Sequence, residues 1–383
     1  MNRKNTPAWL KIVFFLALTA LGAAAGYFGV SWVKTWLPLK SFAPQSGFEK
    51  AAIFVLLAFS IWFSIAVHEL GHLLAGLAQG FRMTLYVAGF LGARGTRQGV
   101  RFFFNRNYQL MGGLAATYPE YLESGPALRR KFALIVGAGP FASLLLCAIG
   151  MGLLLWLTHN SAGAPTLAIR MAVPLALFTA TMSGMIFLAT MIPSRSGGFM
   201  SDGARMISLL GSREKAEYEE ATLSVMALQG AGKLPSEYPP HLLERLRSRP
   251  ADSLLGLNGH FLSFVYHLDR EEPEAALPLA HEIENNISAV PAPFRSYYLK
   301  DVVFFHAFLN NDPETARRIW AGIEQQAAKE PDAGYCRVKA ALAVAEQESE
   351  AAREWVQKGV ELLDELPFEG QRKFEEKWLQ RLV

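Results

Sequence analysis

AAIFVLLAFSIWFSIAVHELGHLLAGLAQ runs from Ala51 to Gln79 and decides how the rest of the chain is read. Up to Val67 it is apolar apart from Ser60 and Ser64; His68, Glu69 and His72 then fall within one helical turn. A helix needs ~20 predominantly apolar residues to cross a ~30 Å hydrocarbon layer, so the stretch predicts a membrane span. Ionisable groups inside a span are costly unless they face a bundle interior and serve a purpose. Residues four apart share a helix face, so both imidazoles can bind one zinc ion, and Glu69 between them can act as general base on a water. The blander reading is a polar patch satisfied by neighbouring helices or headgroups.

Three further apolar runs, Trp9–Val33, Phe132–Leu157 and Leu167–Ile192, are long enough to span. The first, preceded by Arg3 and Lys4 and followed by Trp32 and Trp36, reads as a retained span ending in an interfacial belt, with a cleaved signal peptide as the alternative. Pro174 is expected to kink the last run, which membrane helices tolerate. Eight basic residues from Arg82 to Lys131 lie between the second and third runs, and none between His159 and Thr166. Four spans with both termini on the cytoplasmic side satisfy the positive-inside rule best, though Lys34, Lys40 and Lys50 weigh slightly against it.

Charge divides the chain in the same way. Residues 1–209 carry 17 Lys plus Arg and 5 Asp plus Glu, a net of +12, whereas the remainder nets −9. A basic apolar half followed by an acidic, charge-rich one predicts a membrane domain and then a soluble domain. The basic residues flank apolar runs and form no single face, which excludes nucleic acid as a partner. Two cysteines, Cys147 and Cys336, exclude a disulfide framework and a cysteine metal site.

A zinc hydrolase site needs a third protein ligand. Asp202 follows the fourth run, on the same side as His68 and His72, and is the only acidic residue between Glu123 and Glu214. Glu120 and Glu123 are weaker candidates, and Ser201-Asp202-Gly203 could equally be an ordinary turn or helix N-cap. Phe81–Val87 and Val100–Phe104 are β-prone runs around a Gly-rich stretch, Gly92 to Gly99, which predicts a short hairpin near the membrane surface.

At this point the chain resembles the site-2 proteases, intramembrane zinc metalloproteases. His68-Glu69-Leu70-Gly71-His72 is similar to their HExGH helix. Gly139-Pro140-Phe141-Ala142-Ser143 is similar to their Gly-Pro-x-x-Asn element, and Pro193 with Asp202-Gly203 to their Asn-x-x-Pro…Asp-Gly element. The resemblance covers roughly residues 50–210. It implies zinc held by His68, His72 and Asp202, and peptide hydrolysis by a zinc-activated water with Glu69 as general base. It also implies a membrane-edge β-segment, ending at Met111-Gly112-Gly113, that holds extended substrate by strand addition. Ser143 and Thr190 stand where the family has asparagines; with Gly112 and Gly113 they are the candidate substrate-positioning residues. The loop from Ser194 to Met200 is longer than in the commonest members.

The last half lacks any apolar run long enough to span. Glu272-Pro-Glu-Ala-Ala276, Asp312-Pro-Glu-Thr-Ala316 and Glu348-Ser-Glu-Ala-Ala352 recur between helix-like runs, which resembles degenerate tetratricopeptide hairpins; a plain helical bundle explains them nearly as well. His241, His260, His267, His281 and His306 have no ligand spacing, and Pro235 to Pro250 reads as a hinge.

The expected architecture is therefore mainly α. It comprises an N-terminal span and loop (1–49), a polytopic helical protease core with a membrane-edge hairpin (50–210), and a soluble all-α domain (211–383). The expected partners are a membrane-protein or peptide substrate, the lipid bilayer, and a protein bound by the helical domain. The setting is a multi-pass protein of a bacterial cytoplasmic membrane. The competing function is a catalytically silent scaffold or chaperone: the intact His68, Glu69, His72 and Asp202 oppose it, and Ser143 and Thr190 favour it. A transporter is disfavoured by four spans with no evident internal repeat.

Overall fold

The computed structural model describes residues 39–96, 98–121, 125–161, 165–196, 199–211, 213–329 and 331–383. The expected first span and Glu123 lie outside these residues. The described chain is mainly helical with a small antiparallel sheet, and it divides into two compact units. One comprises 39–63 and 145–184, the other 64–144 and 185–383.

Among the described residues three helices are long and apolar enough to cross a membrane: α1 (Gly47–Ala78), α2 (Pro126–Asn160) and α3 (Leu167–Met191). They match the second, third and fourth apolar runs. Large side chains such as Phe54, Val55, Ile149 and Leu188 stay exposed along them; lipid contact gives such surfaces a partner that water does not. Pro140 and Pro174 are each accommodated within a continuous helix. In the first unit Arg170 donates two hydrogen bonds to Glu49 at 2.9 and 3.1 Å, and the Thr179 hydroxyl donates to Ser60. Buried charges persist only when paired in this way.

The second unit holds the sheet. Its strands β1 (Phe81–Ala88), β2 (Leu91–Thr96), β3 (Gly99–Phe104) and β4 (Leu114–Pro119) are all antiparallel, in the order β3-β2-β1-β4. This corrects the expected hairpin: the Gly-rich stretch is largely strand β2, not a turn. Its glycines serve close packing. A Cβ on Gly92 would enter the Phe103 ring, and one on Gly95 would strike the Met83 carbonyl. The sharp reversal belongs to Gly89, whose φ of 60° opens the two-residue link between β1 and β2.

A two-residue hairpin, β5 (Arg195–Ser196) with β6 (Phe199–Met200), precedes α4 (Asp202–Leu210) and α5 (Arg213–Gly230). The expected hinge at 235–250 is instead packed. It carries a 3₁₀ turn and α6 (Pro240–Arg247), with Tyr238, Leu243 and Leu246 buried. Its prolines start helices, which their fixed φ favours.

Three helix pairs follow: α7 (Leu254–Asp269) with α8 (Pro273–Asn286), α9 (Arg295–Phe304) with α10 (Pro313–Ala327), and α11 (Ala333–Ala345) with α12 (Ser349–Glu361). Each linking turn has one left-handed residue, Glu271, Asn311 or Gln347, at φ 58°, 53° and 64°. Each stands five places before an almost wholly buried alanine, Ala276, Ala316 or Ala352. The recurring peptides therefore mark one turn used three times. In the middle pair a π-turn, Phe305–Leu309, adds a residue before it. The final helix α13 (Glu369–Gln380) contributes Phe374, Trp378 and Leu379 to the same core.

Candidate metal centre

His68 and His72 lie late in α1, where Gly71 allows α2 to approach closely. A Cβ on Gly71 would sit 2.6 Å from the Ala138 carbonyl oxygen and 2.7 Å from the Ala142 Cβ. Small residues permit such helix crossings in membranes. The approach brings two groups of α2 against the imidazoles: His72 Nδ1 lies 2.8 Å from the Ile135 carbonyl oxygen, and His68 Nδ1 lies 2.9 Å from Ser143 Oγ. Gly139 leaves room for the His72 ring, which a Cβ there would overlap. Pro140 has no N–H to give to Val136, which loosens the helix at this turn.

Asp202 arrives from the other side. Ser201 is the N-cap of α4 and its hydroxyl ties three backbone groups together. It donates to the Ile192 carbonyl at 2.8 Å and accepts from the N–H groups of Ser194 at 3.0 Å and Ala204 at 3.3 Å. With the cap role taken by Ser201, the Asp202 carboxylate is free to reach α1. Gly203 packs so tightly on the end of α3 that a Cβ would meet the Met191 carbonyl. Asp202 Oδ2 lies 3.3 Å from His68 Nε2 and 3.5 Å from His72 Nε2, and the two Nε2 atoms are 3.3 Å apart.

These atoms fit a zinc ion. Ligands at ~2.0–2.1 Å in a tetrahedron are about 3.3 Å from one another. A carbonyl oxygen only accepts, so His72 carries its proton on Nδ1 and turns a lone pair on Nε2 towards Asp202. Asp202 Oδ2 is buried yet makes no hydrogen bond of its own. Two imidazoles and one carboxylate form a donor set that zinc accepts with a position to spare.

Glu69 is buried beside this triangle. Its carboxylate lies against Gly113, where a Cβ would stand 2.5 Å from Oε1, and within reach of the Ala115 N–H. Gly113 also has φ 100°, a conformation that favours glycine. Gly112 borders open space. Tyr86 donates its hydroxyl proton to the Ala66 carbonyl of α1 at 2.9 Å and so ties the sheet to the helix near Glu69; nothing in the sequence singled it out.

Of the remaining expected site residues, Ser143 touches an imidazole of the triangle and Thr190 and Glu120 pair elsewhere. Ser143 is fully buried against His68, and the Thr190 hydroxyl lies 3.4 Å from the Phe187 carbonyl of its own helix. Glu120 pairs with Arg82 at 2.5 Å and does not join the triangle. A second group of ligand-type side chains, His281, Glu284 and His306, was not expected; its only sequence signal is the His281/Glu284 spacing on α8. It is held together without an ion, because Glu284 is shared between His306 at 3.3 Å and Arg318 at 3.2 Å.

No curated protein and no solved structure matches the chain. The family model of Peptidase family M50 matches residues 56–364, which takes in most of α1, the sheet, Asp202 and all three helix pairs. That family consists of metallopeptidases that are generally zinc-dependent. The chain belongs to Peptidase family M50, the site-2 protease family.

Proposed function

We propose that this metallopeptidase is an intramembrane zinc endopeptidase that cuts membrane-associated proteins or peptides beside the inner face of the bilayer. The observation that carries the proposal is the triangle of His68 Nε2, His72 Nε2 and Asp202 Oδ2, with edges of 3.3–3.5 Å and Glu69 beside it.

His68, His72 and Asp202 would hold the zinc. The chemistry such an ion supplies when bound is Lewis acidity, which polarises a carbonyl and brings water ionisation to near neutral pH. Glu69 takes the proton from the attacking water and passes it to the amide nitrogen as the C–N bond breaks, so no other proton donor is required. Strand β4 lies on an edge of the sheet, and its start at Leu114 adjoins the Gly113 cradle of Glu69. A substrate segment added there would be extended, with its carbonyls released from helical hydrogen bonds. The open space at Gly112 leaves room for it.

The three apolar helices and the basic residues from Arg82 to Lys131 support a multi-pass membrane protein with its site, both termini and its helical half on the cytoplasmic side. The repeated turns at Glu271, Asn311 and Gln347 support a repeat solenoid over 211–383 that binds a protein partner or substrate tail.

Replacement Glu69→Gln tests the reading in cells. Zinc content should stay at the wild-type level while full-length membrane proteins accumulate. Normal processing by the variant, together with a purified protein that holds no zinc, would instead identify a silent scaffold.

A further inference from the structure

We infer that Ser143 is a positioning residue for His68, acting through the ring nitrogen that faces away from the metal site, and that it does not contact substrate. The inference rests on the metal-centre reading above.

Both imidazoles must present Nε2 lone pairs to Asp202 and to each other at 3.3–3.5 Å. Each ring must then carry its proton on Nδ1 and find an acceptor there. For His72 the acceptor is a main-chain carbonyl, that of Ile135. For His68 it is a side chain, the Ser143 hydroxyl at 2.9 Å. Ile135 and Ser143 lie two turns apart on α2, so one helix face serves both rings. No water or substrate can take over the role at His68, because Ser143 has no exposed surface. The same burial removes Ser143 from any surface a peptide could touch. The resemblance had assigned this position to substrate. The side chain's partner here is 75 residues away in sequence and is the ligand itself.

The two imidazoles therefore differ in kind. A carbonyl only accepts and fixes His72 with or without metal. A hydroxyl both donates and accepts, so Ser143 lets His68 exchange tautomers when the metal leaves. Removing the hydroxyl strands a buried Nδ1–H whenever Nε2 is ligated, which penalises the metal-loaded protein more than the empty one, where Nδ1 can give up its proton and is left only as an unpaired acceptor.

The test uses the full-length protein in detergent, with zinc affinity measured by competition against a chromophoric chelator. Ser143→Ala should weaken zinc binding about 10- to 100-fold, the usual cost of losing such a partner. It should lower the thermal midpoint of the metal-free protein less than that of the zinc-loaded protein. Ser143→Thr, which keeps a hydroxyl, should bind zinc within a few-fold of wild type. At saturating zinc the alanine variant should cleave a peptide with wild-type KM. Wild-type zinc affinity in Ser143→Ala with a raised KM would overturn the inference and return the residue to substrate. A wild-type protein that binds no zinc would instead overturn the metal centre itself.

Discussion

His72 Nδ1 and the Ile135 carbonyl oxygen lie 2.8 Å apart, so a main-chain group of the neighbouring helix decides which face of the imidazole is basic. The ring can take this position because residue 139 has no side chain. Gly139→Ala should push the ring off Ile135 and out of the triangle. The expected result is a folded protein whose zinc content, read by metal analysis after dialysis, is at least tenfold below wild type. Full zinc content would show that the ring has another resting place.

Asp202 is the one member of the His68–His72–Asp202 triangle that follows α3. Asp202→Asn keeps its size and removes its charge, so the fold should survive while zinc binding weakens by about two orders of magnitude or more, measured against the same chelator. The Ser201 clasp predicts a related effect. Ser201→Ala loses an N-cap, costing roughly 1 kcal/mol of local stability, and should lower zinc affinity less than Asp202→Asn does. Equal losses would mean that the cap alone holds Asp202 in place.

Glu69 has almost no freedom beside Gly113. Gly113→Ala would set a methyl 2.5 Å from the carboxylate oxygen and strain a backbone at φ 100°. Zinc should remain bound, and kcat should fall about 100-fold or more, within the usual worth of a general base. Loss of zinc in step with activity would point to collapse of the helix and not to displacement of Glu69.

Acid stability offers a test far from the site. Burial raises the Asp332 carboxyl, but Lys300 at 2.5 Å and the Tyr335 N–H at 2.8 Å more than reverse it, leaving its pKa below the ordinary carboxylate range. A depressed folded pKa contributes stability above the unfolded value of about 3.9, and that contribution is lost as pH falls through the folded one. Asp332→Asn should therefore lower the thermal midpoint by roughly 2–4 °C at neutral pH, for a loss of about 1 kcal/mol. The gap should close as pH falls through the folded value. A gap of constant size down to pH 2 would assign the effect to packing.

What the sequence disclosed depended on how far apart the interacting residues are. The His68/His72 pair is local: spacing on one helix is enough to read it, and the apolar runs announce α1, α2 and α3 in the same way. Asp202 could be reached only by elimination and resemblance, because its role depends on Ser201 taking the cap. The Gly92–Gly99 stretch misled because glycine signals a turn locally. Whether it turns or packs is decided by Phe103 and Met83, partners from other strands. In the helical half the alanines were legible as a repeat. The left-handed residues before them were not, since Glu271 and Gln347 are of types that seldom adopt that conformation and only Asn311 is of a type that favours it.

Strand β4 ends at opposite kinds of contact. At its start the Gly113 turn and Ala115 abut Glu69; three residues on, the Tyr118 ring packs 4.7 Å from the Phe368 ring of the helical half. Nearby, Arg101 pairs with Glu365, and Gln98 with Asp364 at 3.4 Å. About 10 Å of extended backbone, at ~3.3 Å per residue, thus separates the contact with the helical half from the contact with the Glu69 carboxylate. The Glu69 carboxylate and the helical half therefore meet opposite ends of one short run of extended backbone, with no loop in between.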